Sequence, residues 1–237
     1  MYEQIRNLQA YIDHELSDKR AVRLLEAGCG SASYLDFGIQ ARLVGIDISA
    51  KQLERNALVH EKILGDIQRY EFPPETFDVI VCWDVLEHLP QPEMAMIRFS
   101  HAVKPGGFVI LKLPNVFSLK GLITKFMPHT IHVLAYRYFY GEKYVRKDDN
   151  VPFKTYLRFC TSARSLQNQG AQLGLRNIYF ATFDVAEVSW LQRKKAAHLG
   201  YITMKTIIGF LSGGLIGDSE LILVMRKQLS GEKRSCC

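Results

Sequence analysis

Apolar residues recur along the chain in two rhythms, short runs bounded by punctuating residues and longer stretches at three- and four-residue spacing. The short runs fall at residues 23–27, 43–47, 62–64, 77–83, 108–113, 176–182 and 220–225. Runs of this length between glycine, proline and acidic residues predict β-strands, and the almost wholly apolar 77–83 predicts one buried on both faces. The helical rhythm predicts a first helix over residues 3–18, with Ile5, Leu8, Ile12 and Leu16 on one face. Further helices are predicted from Ser31, from an N-cap at Ser49 with Leu53, Ala57 and Leu58 on the buried side, over 94–103, and over 161–173 ahead of a capping Gly174. Strand and helix alternate, which predicts an α/β, doubly wound, mostly parallel sheet.

The pattern is densest at residues 23–47, around which the rest of the chain is organised. One strand ends in Glu26 and Ala27, the tight turn Gly28-Cys29-Gly30 follows, and the next strand ends in Asp47. Glycines permit backbone angles that let such a turn lie flat against a ligand, and a carboxylate closing the second strand can accept both hydroxyls of a ribose. A site for an adenosine is expected. The third glycine of the dinucleotide fingerprint is replaced by Ser33. Glu26 is a poor neighbour for a diphosphate, whereas it suits a cationic amino group.

Here the sequence resembles the class I S-adenosylmethionine-dependent methyltransferases, in their type 11-like small-molecule branch. Glu26-Ala27-Gly28-Cys29-Gly30 is similar to that family's first motif and Gly45-Ile46-Asp47-Ile48-Ser49 to its second. Gly65-Asp66-Ile67, the segment 84–90 after the fourth strand, and the turn Lys104-Pro105-Gly106-Gly107 follow in the family's order. The resemblance covers residues 20–114 well and the last third in outline. It implies a Rossmann-like sheet of seven strands, with 220–225 as its antiparallel edge strand and lid insertions after strands five and six. It implies S-adenosyl-L-methionine as cofactor, held by Glu26, Gly28, Cys29, Gly30, Asp47, Ile48, Asp66, Ile67, Trp83 and Asp84. Asp66 would accept from the adenine amino group while Ile67 packs on the ring. The expected organisation is a single methyltransferase domain over 1–237, with 115–160 a lid or substrate insertion and 185–217 a second, helical insertion.

Composition changes this picture in one place. The chain has 237 residues with 48% hydrophobic and 23% charged content, ordinary for a globular protein of one domain with insertions. Its five cysteines, at 29, 82, 160, 236 and 237, lack metal-type spacing, and a reducing cytoplasm is the simpler setting. No signal peptide opens the chain and no apolar stretch is convincing as a membrane span, so a cytoplasmic protein is expected, with membrane association left open. The net charge of +6 is unevenly placed: residues 115–160 hold eight Lys or Arg against three acids. That patch is either a solvated face or an attractor for an anionic substrate, nucleic acid or membrane. The segment 187–214, with Trp190, Tyr201, Ile207 and several cations, is simple packing, lid, dimer face or membrane-surface helix. The polar tail 231–237 ends in Cys236-Cys237 and is expected to be untethered and disordered.

His88 follows the fourth strand and is the leading candidate for a general base, its ordinary pKa lying near neutrality. The competing role is structural, fastening the loop to a backbone carbonyl. His129 and His132 are alternatives in the lid. Asp84, Glu87 and His88 also resemble the metal-binding segment of some relatives, but the first ligand differs and no partner histidine matches, so no metal is expected. The leading function is O-methylation of a small or lipid- or glycan-linked, anionic acceptor. An RNA methyltransferase gripping a strand with the basic aromatic insertion is the second reading, though no appended RNA-binding module is recognisable and nucleic acid is the disfavoured partner. A non-catalytic cofactor-binding protein is the third.

Overall fold

The strand formed by the seven-residue apolar run, β4 (Phe77–Trp83), is buried along its whole length. Successive side chains alternate between two faces, so such a run is stable only where both are covered. In the computed structural model, which describes residues 2–31, 35–37, 41–118, 121–122, 125, 155–184, 195–211 and 217–229, both are. Val79 and Val81 join one apolar cluster with Leu8 and Ile12. Ile80 and Cys82 join the other with Met96, Phe99 and Leu166. Each such aliphatic side chain contributes about 1.5–3 kcal/mol by leaving water.

The other strands are β1 (Val22–Ala27), β2 (Ala41–Asp47), β3 (Glu61–Leu64), β5 (Val103–Pro114), β6 (Leu175–Phe183) and β7 (Glu220–Lys227), in the sheet order β3-β2-β1-β4-β5-β7-β6. The first five positions in that order are joined by parallel pairing. β7 runs antiparallel to both β5 and β6. The antiparallel strand is thus the expected one, set one place in from the rim, which falls to β6. Burial explains the placement: Leu221–Met225 are all buried and need cover on each side, whereas β6 carries exposed Arg176 and Asn177. Strand order reverses between β1 and β4, and open α/β sheets take ligands in the crevice at such a point.

The helix α1 (Tyr2–Leu16) lays buried Leu8 and Ile12 on one sheet face. The helices α3 (Pro92–Ala102) and α4 (Ala163–Gln172) cover the other, α4 behind an N-cap at Ser162 and ahead of Gly174 at φ +75°. Two expectations are corrected. Among the described residues, Ser31 lies in a turn and Leu35–Phe37 are not helical, so the helix expected from Ser31 does not extend through 35–37. The side chain of Gln9 on α1 bonds both the N–H and the C=O of Asp36, satisfying backbone groups that a helix would pair internally. The helix α2 (Ala50–Arg55) begins at the expected cap, with Ser49 Oγ accepting from Gln52 N–H, but stops before Ala57 and Leu58, both exposed. Buried Asn56 ends it, and Val59 takes the core position instead.

Most of the 115–160 insertion, much of 185–217, His129, His132 and the tail with Cys236 and Cys237 lie outside the described residues. The described part of 185–217 is mainly a helix, α5 (Lys195–Leu211).

Candidate active site

At the carboxyl end of β1 the chain turns through Gly28 at φ +75° and Gly30 at φ +50°, angles that cost an L-residue with a side chain. Gly28 and Cys29 N–H both donate to Ile46 O, at 2.8 and 3.2 Å, which fastens the turn to β2. Space adds to the requirement at Gly28, where a Cβ would lie 2.4 Å from Val85 Cγ2. The close approach at Gly28 is therefore to the loop after β4. The side chain of Asn56 supports the turn from below, donating to Cys29 O at 3.2 Å and Gly30 O at 3.3 Å.

Asp47 closes β2 as expected, with one backbone donor on each oxygen: Gly30 N–H at 2.9 Å on Oδ2 and Ser49 N–H at 2.8 Å on Oδ1. Each oxygen retains a lone pair, so the carboxylate is aimed yet able to accept from a diol. Glu26 is buried one strand away, and Asp66 is held by Gln68, whose N–H and Nε2 donate to Oδ1 at 2.9 and 3.0 Å. The acids act together on Cys29, whose thiol is pushed up to about 12 by burial, then by Asp47 and Glu26. The thiol stays neutral and reports a negative field at the turn.

That donor set tests the expected cofactor. Glu26, Asp47, Asp66 and Asp84 offer acceptors, and S-adenosylmethionine presents a ribose diol, an adenine amino group, an ammonium and a cationic sulfur. A dinucleotide would bring a diphosphate into the same field, at a Coulomb cost. The residues fit the sulfonium cofactor: Asp47 would take the ribose, Asp66 the adenine amino group, and Glu26 and Asp84 the cationic end. Ile48, 66% exposed, leaves an apolar surface beside Asp47. Ile67 and Trp83 are buried, and Ile67 belongs to the core cluster, so its side chain is committed to packing.

Past β4 the chain enters a left-handed conformation at Asp84, φ +53°, uncommon for a residue other than glycine. Asp84 N–H donates to Lys112 O at 2.8 Å. Lys112 is buried, with Nζ 2.5 Å from Asp84 Oδ1 and 2.9 Å from Glu220 Oε2. Burial alone would lower the Lys112 pKa, but the Asp84 and Glu220 carboxylates outweigh it and hold the ammonium above its ordinary value. Next to it, burial first and then the charge of Asp84 push the Glu87 carboxyl well above the usual range. Glu87 Oε2 is buried without a hydrogen-bond partner among the described residues.

His88 ends a single 3-10 turn, Leu86–His88, and is half-buried. Its Nδ1 lies 3.4 Å from Thr155 Oγ1 and its Nε2 3.9 Å from Glu87 Oε1. The strand of chain returning from the insertion is tied to this loop, with Tyr156 and Leu157 N–H both donating to Glu87 O at 2.8 and 3.1 Å. Two of the basic residues of 115–160 are used within the protein: Lys125 Nζ donates to Leu157 O at 2.9 Å and Arg158 donates to Pro90 O. No group of three potential metal ligands converges among the described residues, Asp84 being paired with Lys112.

The structure therefore brings Glu26, Gly28, Cys29, Gly30 and Asp47 together at the β1–β2 end, and Asp84, Glu87 and His88 at the β4 end. Asn56, Lys112 and Glu220 were not foreseen. The available signals were an Asn directly after the α2 stripe and single charges, Lys112 and Glu220, inside otherwise apolar strand runs.

A family model described as a methyltransferase domain matches residues 2–179 of the chain. The ubiquinone biosynthesis O-methyltransferase of Thiobacillus denitrificans is 33% identical over 104 residues, covering 39% of this chain and 44% of that protein. The mitochondrial ubiquinone biosynthesis O-methyltransferase of Schizosaccharomyces pombe is 27% identical over 140 residues, covering 54% and 51%. The chain thus spans about half the length of the curated relatives it matches. A crystal structure of a SAM-dependent methyltransferase from Archaeoglobus fulgidus superposes with a TM-score of 0.55 at 17% identity, covering 94% of each chain, a likeness of fold.

Proposed function

This chain belongs to the class I S-adenosylmethionine-dependent methyltransferases, and from that membership we propose that it O-methylates a small, hydroxyl-bearing acceptor, with His88 as the general base. The bound cofactor supplies an electrophilic methyl group on a cationic sulfur, so the protein's task is alignment and proton removal. Glu26, Asp47, Asp66 and Asp84 bind and orient the donor. The observation that carries the O-methyl reading is His88 at the carboxyl end of β4, half-buried beside the crevice, with Nδ1 engaged by Thr155. Nε2 is then the nitrogen to which an acceptor hydroxyl yields its proton as its oxygen attacks. The similarity to the two ubiquinone biosynthesis O-methyltransferases above supports a hydroxyl acceptor. An anionic or lipid- or glycan-linked acceptor is favoured by the cations and apolar residues of 115–160.

The test is release of S-adenosylhomocysteine from S-adenosylmethionine with a panel of phenols, catechols, aliphatic alcohols and amines, each with and without a carboxylate or phosphate. Turnover of hydroxyl acceptors that falls about 100-fold or more in His88→Ala, at unchanged cofactor affinity, supports the reading. Turnover of amines alone, or His88→Ala activity equal to wild type, overturns it.

A further inference from the structure

After β3 the chain makes a tight turn in which one side-chain amide is bound at both ends. Gln68 N–H and Gln68 Nε2 donate to Asp66 Oδ1 at 2.9 and 3.0 Å, and Nε2 lies 3.3 Å from Asp66 Oδ2. The other end of the amide, Oε1, accepts from Gln91 N–H at 2.9 Å. Its partners decide which end of such an amide is which. Turned over, this one would set its oxygen against the Asp66 carboxylate and its amino group against the Gln91 N–H, so one orientation alone satisfies both sides. Gln91 stands directly before α3 and three residues after His88.

The backbone half of this arrangement is ordinary, an aspartate accepting from the N–H two residues on. The side-chain half does something more. With two donors on Oδ1, both lone pairs of that oxygen are engaged and the carboxylate is stopped from turning about its Cβ–Cγ bond. Among the described residues, Oδ2 has the longer Nε2 contact and Arg69 Nε at 3.9 Å, on a side chain 89% exposed. Oδ2 is therefore the oxygen with capacity for a further donor. Asp66 and Gln68 line a hollow of about 380 Å³ together with Pro90, Gln91 and Met94, so the fixed carboxylate borders open space.

We propose that Gln68 is a positioning residue for the cofactor: it holds the Asp66 carboxylate with Oδ2 presented to the adenine amino group, and through Gln91 it ties that acid to the loop after β4. The inference rests on the assignment of Asp66 to the adenine amino group and adds what keeps the acid in place. A carboxylate that cannot turn rejects hypoxanthine, whose 6-oxygen meets it acceptor to acceptor. One that can turn reaches the neighbouring N1–H of hypoxanthine and accepts from it instead. Calorimetric titration of the full chain with S-adenosylhomocysteine and with its deaminated counterpart, S-inosylhomocysteine, tests this. Wild type should favour the adenosyl compound by about tenfold or more. In Gln68→Ala that preference should shrink to within about threefold. It should shrink likewise in Gln68→Glu, a side chain of the same size that sets a carboxylate against Asp66 and keeps the test decisive if Gln68→Ala fails to fold. A wild type without preference, or variants that keep the wild-type ratio while binding both compounds more weakly, would overturn the inference. Asp66→Ala separates it from the assignment it rests on. Preference lost there but kept in both Gln68 variants overturns the role of Gln68 alone, whereas preference that survives Asp66→Ala overturns the adenine assignment and this inference with it.

Discussion

Replacing Gly28 by Ala probes the turn where sheet and ligand site meet. The backbone at φ +75° costs an alanine about 1–2 kcal/mol. The added methyl meets Val85 Cγ2 at 2.4 Å and Cγ1 at 2.9 Å, in a crowded site where overpacking costs about 1–3 kcal/mol. Lower entropy of the unfolded alanine chain returns about 0.4–1 kcal/mol. The net expectation is a loss of about 2–4 kcal/mol by urea denaturation, with a lowered midpoint at unchanged slope. Trimming the obstacle separates the two causes. In Gly28→Ala/Val85→Ala the colliding methyls are gone while the backbone strain remains. The double variant should therefore be more stable than the sum of the single losses by about 1–2 kcal/mol. A Gly28→Ala chain within about 0.5 kcal/mol of wild type, or strictly additive losses, would refute the claim that the turn is closed by Val85.

Lys112→Met removes the ammonium between Asp84 and Glu220 and leaves a buried acid uncompensated, so thermal denaturation should show a loss of about 3–5 kcal/mol; a loss below about 1 kcal/mol would contradict the pairing. Asp78 is held below its ordinary pKa: burial alone would raise it, but hydrogen bonds from Lys104, Lys19 and Arg23 N–H prevail. Its stabilisation is thus full above the unfolded value near ~3.9 and lost as pH falls through the lower folded value. Asp78→Asn should cost about 1–2 kcal/mol at pH 7, discounted because both lysines are partly exposed, and should flatten the acid limb of the stability curve; an unchanged acid limb would count against it. Glu87 has the opposite sign, since burial raises its pKa and its stabilisation fades as pH climbs toward the folded value. Glu87→Gln should accordingly gain on wild type as pH rises above the ordinary carboxylate range, and stability curves that stay parallel there would contradict it.

Much of the sheet was legible because each strand's apolar run carries its own period and its own stop. β4 announced burial on both faces, and Asp47 could be placed because a strand end and an acid coincide. What stayed hidden depends on partners distant in sequence. Lys112 and Glu220 meet only because β7 inserts antiparallel between β5 and β6, a pairing no local pattern encodes. The end of α2 was misplaced because Asn56 serves the Gly28–Gly30 turn, a partner distant in sequence, while Ala57 and Leu58 mimic helical spacing. The turn glycine was assigned to the ligand, whereas its tightest neighbour is Val85.

We propose that the acids at the ends of β1, β2 and β4, with Asp66 after β3, make a cradle for a cationic adenosine cofactor. Calorimetric titration of the purified chain with S-adenosylmethionine and, in parallel, NAD tests it most directly. Expected is saturable 1:1 heat with S-adenosylmethionine, abolished in Asp47→Ala, and none with NAD. Binding of NAD in preference, or S-adenosylmethionine binding that survives Asp47→Ala unchanged, would contradict it.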